Sequence, residues 1–119
     1  MNVERLSKGA LQKILSGKVQ ESATCVIKFY SNTCPICKNL KPEFEEIADS
    51  YKDVHFFAFN IDDYPSVEKV LSFRGVPTIS LLKVGQRNPK IRVLKDPETP
   101  DADTWYSLSD IRDFIEKEK

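Results

Sequence analysis

Apolar and polar positions along the chain change period several times, and each change marks an element. Val3 to Leu6 allows at most a short edge strand, after which Ser7 stands as the N-cap of a helix carrying Ala10, Leu11, Ile14 and Leu15 and ending near Gly17. Thr24 to Tyr30 is β-prone and apolar on both alternating faces apart from Lys28, which predicts a central strand covered on two sides. Ile36, Leu40, Phe44, Ile47, Ala48 and Tyr51 recur at helical spacing. Pro35 suits the first position of that helix, where no N–H is missed, and Pro42 inside the pattern should kink it. Val54 to Ile61 is a near-continuous apolar run and predicts a second buried strand; Asp62, Asp63 and Pro65 end it and open a short helix through Ser72. Arg74 to Thr78 is a turn into a strand over Ile79 to Val84, and Gly85 signals a hairpin to an antiparallel strand over Lys90 to Leu94. Lys95 to Thr104 reads as a solvated acidic loop. Ser107 with Asp110 resembles a capping box, and Leu108, Ile111, Phe114 and Ile115 give the last helix its buried stripe. The order is βαβαβαββα, with no internal repeat or linker.

Composition narrows what this order can do. A chain of 119 residues with 40% apolar content suits one domain, residues 1–119, with one continuous core. Eighteen basic and 18 acidic residues cancel, so no overall field draws the protein to nucleic acid or to an anionic membrane. No apolar run is long enough to span a bilayer, and the first twenty residues lack the apolar centre of a secretory signal, so a cytoplasmic location is expected. No extended apolar stripe gives a reason to expect a dimer, and a monomer is expected.

The chemistry-bearing feature is Cys34-Pro35-Ile36-Cys37, set where the first buried strand gives way to a helix. Two thiols on the first turn of a helix can close into a disulfide, and the helix N-terminus favours thiolate over thiol. Three cysteines are too few for a disulfide scaffold, so the count favours a catalytic pair with Cys25 as a small core residue. The competing use of such a pair is half of a zinc site. That site needs four ligands, and Cys25 and the single histidine, His55, both fall in strand patterns with no second chelating pair. No metal and no cofactor are expected.

This dithiol, followed by Arg74-Gly75-Val76-Pro77-Thr78, closely resembles the thioredoxin superfamily over essentially the whole chain. Lys38, Pro42, Asn60-Ile61-Asp62, Pro65 and Gly85 fall where that family places such residues. The resemblance implies an α/β thioredoxin fold: a central mixed sheet of four to five strands flanked by helices on both faces. It implies a thiol-disulfide oxidoreductase acting on protein disulfides, with a thioredoxin reductase or glutathione as electron donor. Cys34 would be the nucleophile and Cys37 the resolving thiol. Pro77 would be cis, and Val76, Pro77 and Thr33 would meet an extended substrate segment.

Three departures from the family pattern stand out. Proline occupies the first middle position of the dithiol motif, as in glutaredoxins and periplasmic disulfide-forming proteins. Lys28 stands where thioredoxins carry a buried aspartate, and Ala58 where they carry a lysine. No glycine-containing loop follows Leu94; the acidic segment takes its place, and if it borders the substrate groove it would select basic partners. Pro35, Ile36 and Lys28 are therefore expected to modulate the dithiol, with Lys28 either snorkelling or stabilising the Cys34 thiolate as a cation. Pro35 and Lys28 together would raise the reduction potential above that of thioredoxin. Trp105 and Tyr106 either line the groove at the end of the acidic segment or pack the last helix onto the sheet, and packing is expected. The competing activities are a glutathione-dependent, glutaredoxin-like enzyme, suggested by the proline, and a thioredoxin-fold binding subunit without redox turnover.

Overall fold

The computed structural model describes residues 2–85 and 89–119. Its five strands are β1 (Val3–Arg5), β2 (Ala23–Tyr30), β3 (His55–Asn60), β4 (Thr78–Val84) and β5 (Lys90–Val93). Its four helices are α1 (Lys8–Leu15), α2 (Pro35–Ser50), α3 (Val67–Leu71) and α4 (Leu108–Glu118). The strands form one sheet in the order β1-β3-β2-β4-β5. β1 and β2 run parallel to β3, whereas β4 is antiparallel to β2 and β5 to β4. The sheet is thus mixed, with β2 at its centre.

Alternation along β2 distributes the core. Cys25, Ile27 and Phe29 face the side where Leu11 and Ile14 of α1 and Val67 and Leu71 of α3 pack, together with Phe59 and Leu82. Val26 faces the opposite side, against Leu40, Phe44 and Ile47 of α2 and Ile111, Phe114 and Ile115 of α4. By the same two-residue period Lys28 belongs to the α2 side, with Ala58 and Ile79 as its register partners on β3 and β4. The apolar run of β2 is therefore a consequence of helices on both faces.

Local signals set the helix ends. The Ser7 side chain accepts from Ala10 N–H at 3.1 Å. Ser107 and Asp110 form a reciprocal capping box at α4, each side chain accepting from the other residue's backbone N–H at 3.0 Å. α2 continues through Pro42 as one helix. β2 and β4 begin one residue earlier than the sequence pattern predicts and β5 ends one residue earlier, while β3 and α3 depart for reasons that the structure shows. Asn60 caps a single 3₁₀ turn at Ile61–Asp63, with its side chain accepting from Asp62 N–H at 3.0 Å, so β3 stops before Ile61. α3 begins only at Val67, because Tyr64 leaves helical dihedrals at φ −158° and ψ 77° and Pro65 and Ser66 form a turn. At the end of β4, Gly85 has φ +94°, and a Cβ there would come within 2.5 Å of the Ser22 backbone. Both facts reserve that position for glycine. The hairpin connection that follows it, residues 86–88, lies outside the described residues.

The acidic segment is exposed along most of its length, but it is also folded. Asp101 and Trp105 pair backbone to backbone at 3.0 and 2.9 Å, and the Asp101 carboxylate accepts from the N–H groups of Asp103 and Thr104. Those bonds hold the Asp101 carboxyl below the usual carboxylate range. Trp105 closes the turn with φ 65° and donates its indole N–H to Asp96 at 3.2 Å. Asn39 on α2 donates to the Asp103 carbonyl at 3.0 Å, which ties the turn to the helix that carries the cysteines. Tyr106 is buried in the α2–α4 core.

Candidate active site

β2 ends with the chain at one end of the sheet, and Ser31 to Thr33 make the turn into α2. Cys34 is the N-cap of that helix: its backbone is extended and its Sγ accepts from Cys37 N–H at 3.1 Å. Pro35 takes the first helical position, where its missing N–H costs nothing. Cys34 and Cys37 are joined as a disulfide across a Cα separation of 5.2 Å. Cys34 is half-buried, whereas Cys37, one turn into the helix, is only 3% exposed. Pro35 and Thr33 are exposed and Ile36 is half-buried, so they rim the dithiol on its solvent side.

A second loop meets this turn from β4. The Val76–Pro77 peptide bond is cis, and the Val76 carbonyl oxygen lies 3.8 Å from Cys34 Sγ. Gly75 takes φ +77°. Its N–H donates to the Glu68 carboxylate on α3 at 2.6 Å, and its carbonyl accepts from the Thr78 hydroxyl at 2.8 Å. Asn60 completes the frame, donating through Nδ2 to Asn32 Oδ1 at 3.1 Å. Glu68 and Asn32 are positioning residues that the sequence pattern did not reveal, since each acts on a loop distant in the chain. The structure brings Thr33, Cys34, Pro35, Ile36 and Cys37 together with Val76 and Pro77. His55 lies at the far end of β3, and Cys25 is buried on the other face of the sheet, where burial pushes its thiol up.

Lys28 is 4% exposed. Its Nζ sits 5.4 Å from the centre of the Phe44 ring and 5.9 Å from that of Tyr30, within cation–π range. It opens on a cleft of about 570 Å³ that Cys37 also lines, together with Lys38, Lys41, Glu45 and Ala58, and that Cys34 does not. The small Ala58 side chain leaves this space free. Burial, reinforced by Lys41 and opposed by Glu45, pushes the Lys28 ammonium from 10.5 down to about 8. A lysine whose folded-state value is lowered destabilises the fold below that value, and the penalty is relieved as pH rises toward 10.5. We therefore expect Lys28→Met to stabilise the oxidised protein by about 1–3 kcal/mol at pH 7, at 1.36 kcal/mol per unit. The gain should shrink between pH 8 and 10.5 in urea unfolding. A gain that stayed constant across that window would assign the effect to packing.

The larger cleft nearby, about 870 Å³, lies beyond the cis peptide among Phe73, Arg74, Thr78, Leu94, Lys95 and Asp96. Lys95 and Asp96 are the only residues of the acidic segment that reach it.

The thioredoxin family model matches residues 3–100, a span that includes the dithiol, the Val76–Pro77 loop and all five strands. The chain belongs to the thioredoxin family. Thioredoxin of Acidithiobacillus ferridurans is 36% identical over 69 residues, covering 57% of this chain and 64% of that one. Mitochondrial thioredoxin-3 of Saccharomyces cerevisiae is 32% identical over 73 residues, covering 61% and 58%. The chain thus aligns with less than two thirds of the length of these two relatives. The crystal structure of Malassezia sympodialis thioredoxin superposes with a TM-score of 0.66 at 21% identity, over 98% of this chain and 90% of that one. That likeness establishes the thioredoxin fold.

Among the described residues no helix is long and apolar enough to cross a membrane.

Proposed function

We propose that this single domain is a thiol-disulfide oxidoreductase that exchanges protein disulfides through the Cys34–Cys37 couple. The observation that carries the reading is the cysteine pair, closed as a disulfide at the N-terminus of α2 with the Val76 carbonyl beside Cys34 Sγ. Family membership supports it. In the reduced protein the Cys34 sulfur, already the acceptor of Cys37 N–H, keeps the first free N–H groups of the helix as partners for a thiolate. Such surroundings lower a cysteine pKa and favour the thiolate.

The thiolate attacks one sulfur of a substrate disulfide, forming the Cys34–substrate bond and releasing the other substrate sulfur as a thiolate. Cys37, shielded until then, loses its proton and attacks Cys34 Sγ. The Cys34–Cys37 disulfide forms and the second substrate thiolate leaves. Two electrons pass from the cysteine pair to the substrate, and protonation of the two leaving thiolates completes the balance. Run backwards, the same steps oxidise a dithiol, and the direction follows the redox poise. Val76 and Pro77, with Thr33 on the opposite rim, would hold an extended substrate segment by its backbone. Pro35, Ile36 and Lys28 would tune the couple. A thioredoxin reductase or glutathione in the cytoplasm would supply the electrons, and the protein would act as a monomer without nucleic acid or membrane.

The test is reduction of a protein disulfide by catalytic amounts of this chain, with dithiothreitol as electron source and glutathione buffers to set the potential. Catalysis over the dithiothreitol background is expected. A potential near about −200 mV rather than about −270 mV would place the couple among the more oxidising members. Absence of catalysis, with the disulfide formed and the fold intact, would overturn the reading.

A further inference from the structure

The exchange cycle described above requires Cys37 to become a thiolate while it is almost entirely buried. Burial in an apolar setting favours the neutral thiol, and a neutral thiol does not attack a disulfide. The helix N-terminus cannot meet this need, because the Cys37 N–H is already directed at Cys34 Sγ and Cys37 lies a turn inside α2. A second source of positive charge would meet the need, and one lies in the cleft behind the dithiol.

We propose that Lys28 is a positioning residue for the resolving thiol, its ammonium stabilising the Cys37 thiolate across the cleft that the two residues line together. Lys28 is held there by β2, and Phe44 and Tyr30 flank its amine. Among the described residues it makes no ion pair. The charged groups around it come from two elements. On α2 they are Lys38, Lys41 and Glu45; on β1 they are Glu4 and Arg5, the latter held by Asp63 at 3.2 Å. β3 and β4 present Ala58 and Ile79 beside it, neither of which titrates. Lys38 and Lys41 are exposed and therefore screened by water, whereas Lys28 is not. In the oxidised protein the Glu45 carboxylate acts on it across the cleft without forming an ion pair, so its charge lacks a close counterpart. In the reduced protein and in the mixed disulfide, the Cys37 thiolate supplies one.

The two cysteines are thus served by different charges: the helix N-terminus acts on Cys34 and Lys28 on Cys37. The Cys37 proton leaves through the cleft to water, the thiolate attacks Cys34 Sγ, and no further reactant is needed. A cation that faces a thiol across a shared cleft lowers it by about one unit. That gives about tenfold more thiolate at neutral pH, offset about threefold by its lower nucleophilicity, so resolution gains about threefold.

The inference rests on the exchange reaction proposed above, but its test does not require turnover. In a Cys34→Ser background, the rate of carboxamidomethylation at Cys37 is followed against pH and read at the Cys37 peptide by mass spectrometry. The midpoint is expected about one unit higher with Lys28→Met than with Lys28, and close to the Lys28 value with Lys28→Arg. Lys28→Gln serves the same comparison if the methionine variant does not fold, as judged by circular dichroism. Equal midpoints with and without the cation would overturn the proposal. So would an arginine variant that behaves like methionine, because only the volume of the side chain would then matter. A shifted midpoint together with no catalysis by the unmutated chain would leave Lys28 acting on Cys37 and would remove the exchange activity alone.

Discussion

Cys34→Ser is expected to reduce disulfide exchange to the uncatalysed background, and Cys37→Ser to accumulate a stable mixed disulfide with substrate. The two outcomes differ because the thiols have different exposure and different partners. Cys34 is reached from solvent and has the first turn of α2 to stabilise its charge. A serine hydroxyl there would stay protonated and could not form the sulfur–sulfur bond. Cys37 is buried, so it cannot compete for substrate; it acts only after Cys34 has been joined to one. Removing it leaves the first step intact and blocks the second. Mass spectrometry of the substrate-treated variants decides the matter: the Cys37→Ser protein should carry the added mass of substrate on Cys34. Turnover surviving in Cys34→Ser, or substrate found on Cys37, would reverse the assignment of roles.

Phe44→Ala is expected to lower stability by about 3–5 kcal/mol, a large share of the roughly 5–15 kcal/mol available to a domain. Phe44 is fully buried between α2 and the sheet. Its ring meets that of Phe56 edge to face, with centroids 5.6 Å apart and planes at 72°. Deleting it removes the apolar burial, the aromatic pair and the face that Lys28 Nζ rests against at 5.4 Å. Because α2 carries both cysteines, the loss should appear in the oxidised and reduced proteins alike. Urea unfolding in each redox state measures it. A loss under about 1.5 kcal/mol would mean that the neighbouring side chains collapse into the space.

Much of the fold could be read along the chain because its signals are local. The two-residue alternation of β2, the helical stripe from Leu40 to Ile47 and the Ser7 and Ser107 caps each depend on a few neighbouring residues. Where the reading missed, a side chain competed with the expected backbone pattern. Asn60 turned the end of β3 into a 3₁₀ turn by accepting from Asp62 N–H, and periodicity does not register that bond. The acidic segment reads as polar and solvated, and its surface is. Its closure by Asp101 and Trp105, with Trp105 at positive φ, depends on hydrogen bonds that composition does not encode.

The chain's order of residues by itself determined which thiols are paired in sequence, which helix begins at Cys34, and that one lysine interrupts an otherwise apolar central strand. Those features follow from spacing and from local backbone preference. Only the tertiary structure decided what each meets. From the sequence Lys28 could either snorkel or act as a cation for Cys34; the α2 side of the sheet sets it in a cleft with Cys37, and Ala58, thirty residues away in the chain, lines that cleft as well. Glu68 fixes Gly75, and Asn32 meets Asn60, across separations that no local pattern can report. The physical reason is the range of the forces. Backbone preference and capping act within a few residues, whereas burial, charge and side-chain hydrogen bonds act through space, between segments that only the completed sheet brings side by side.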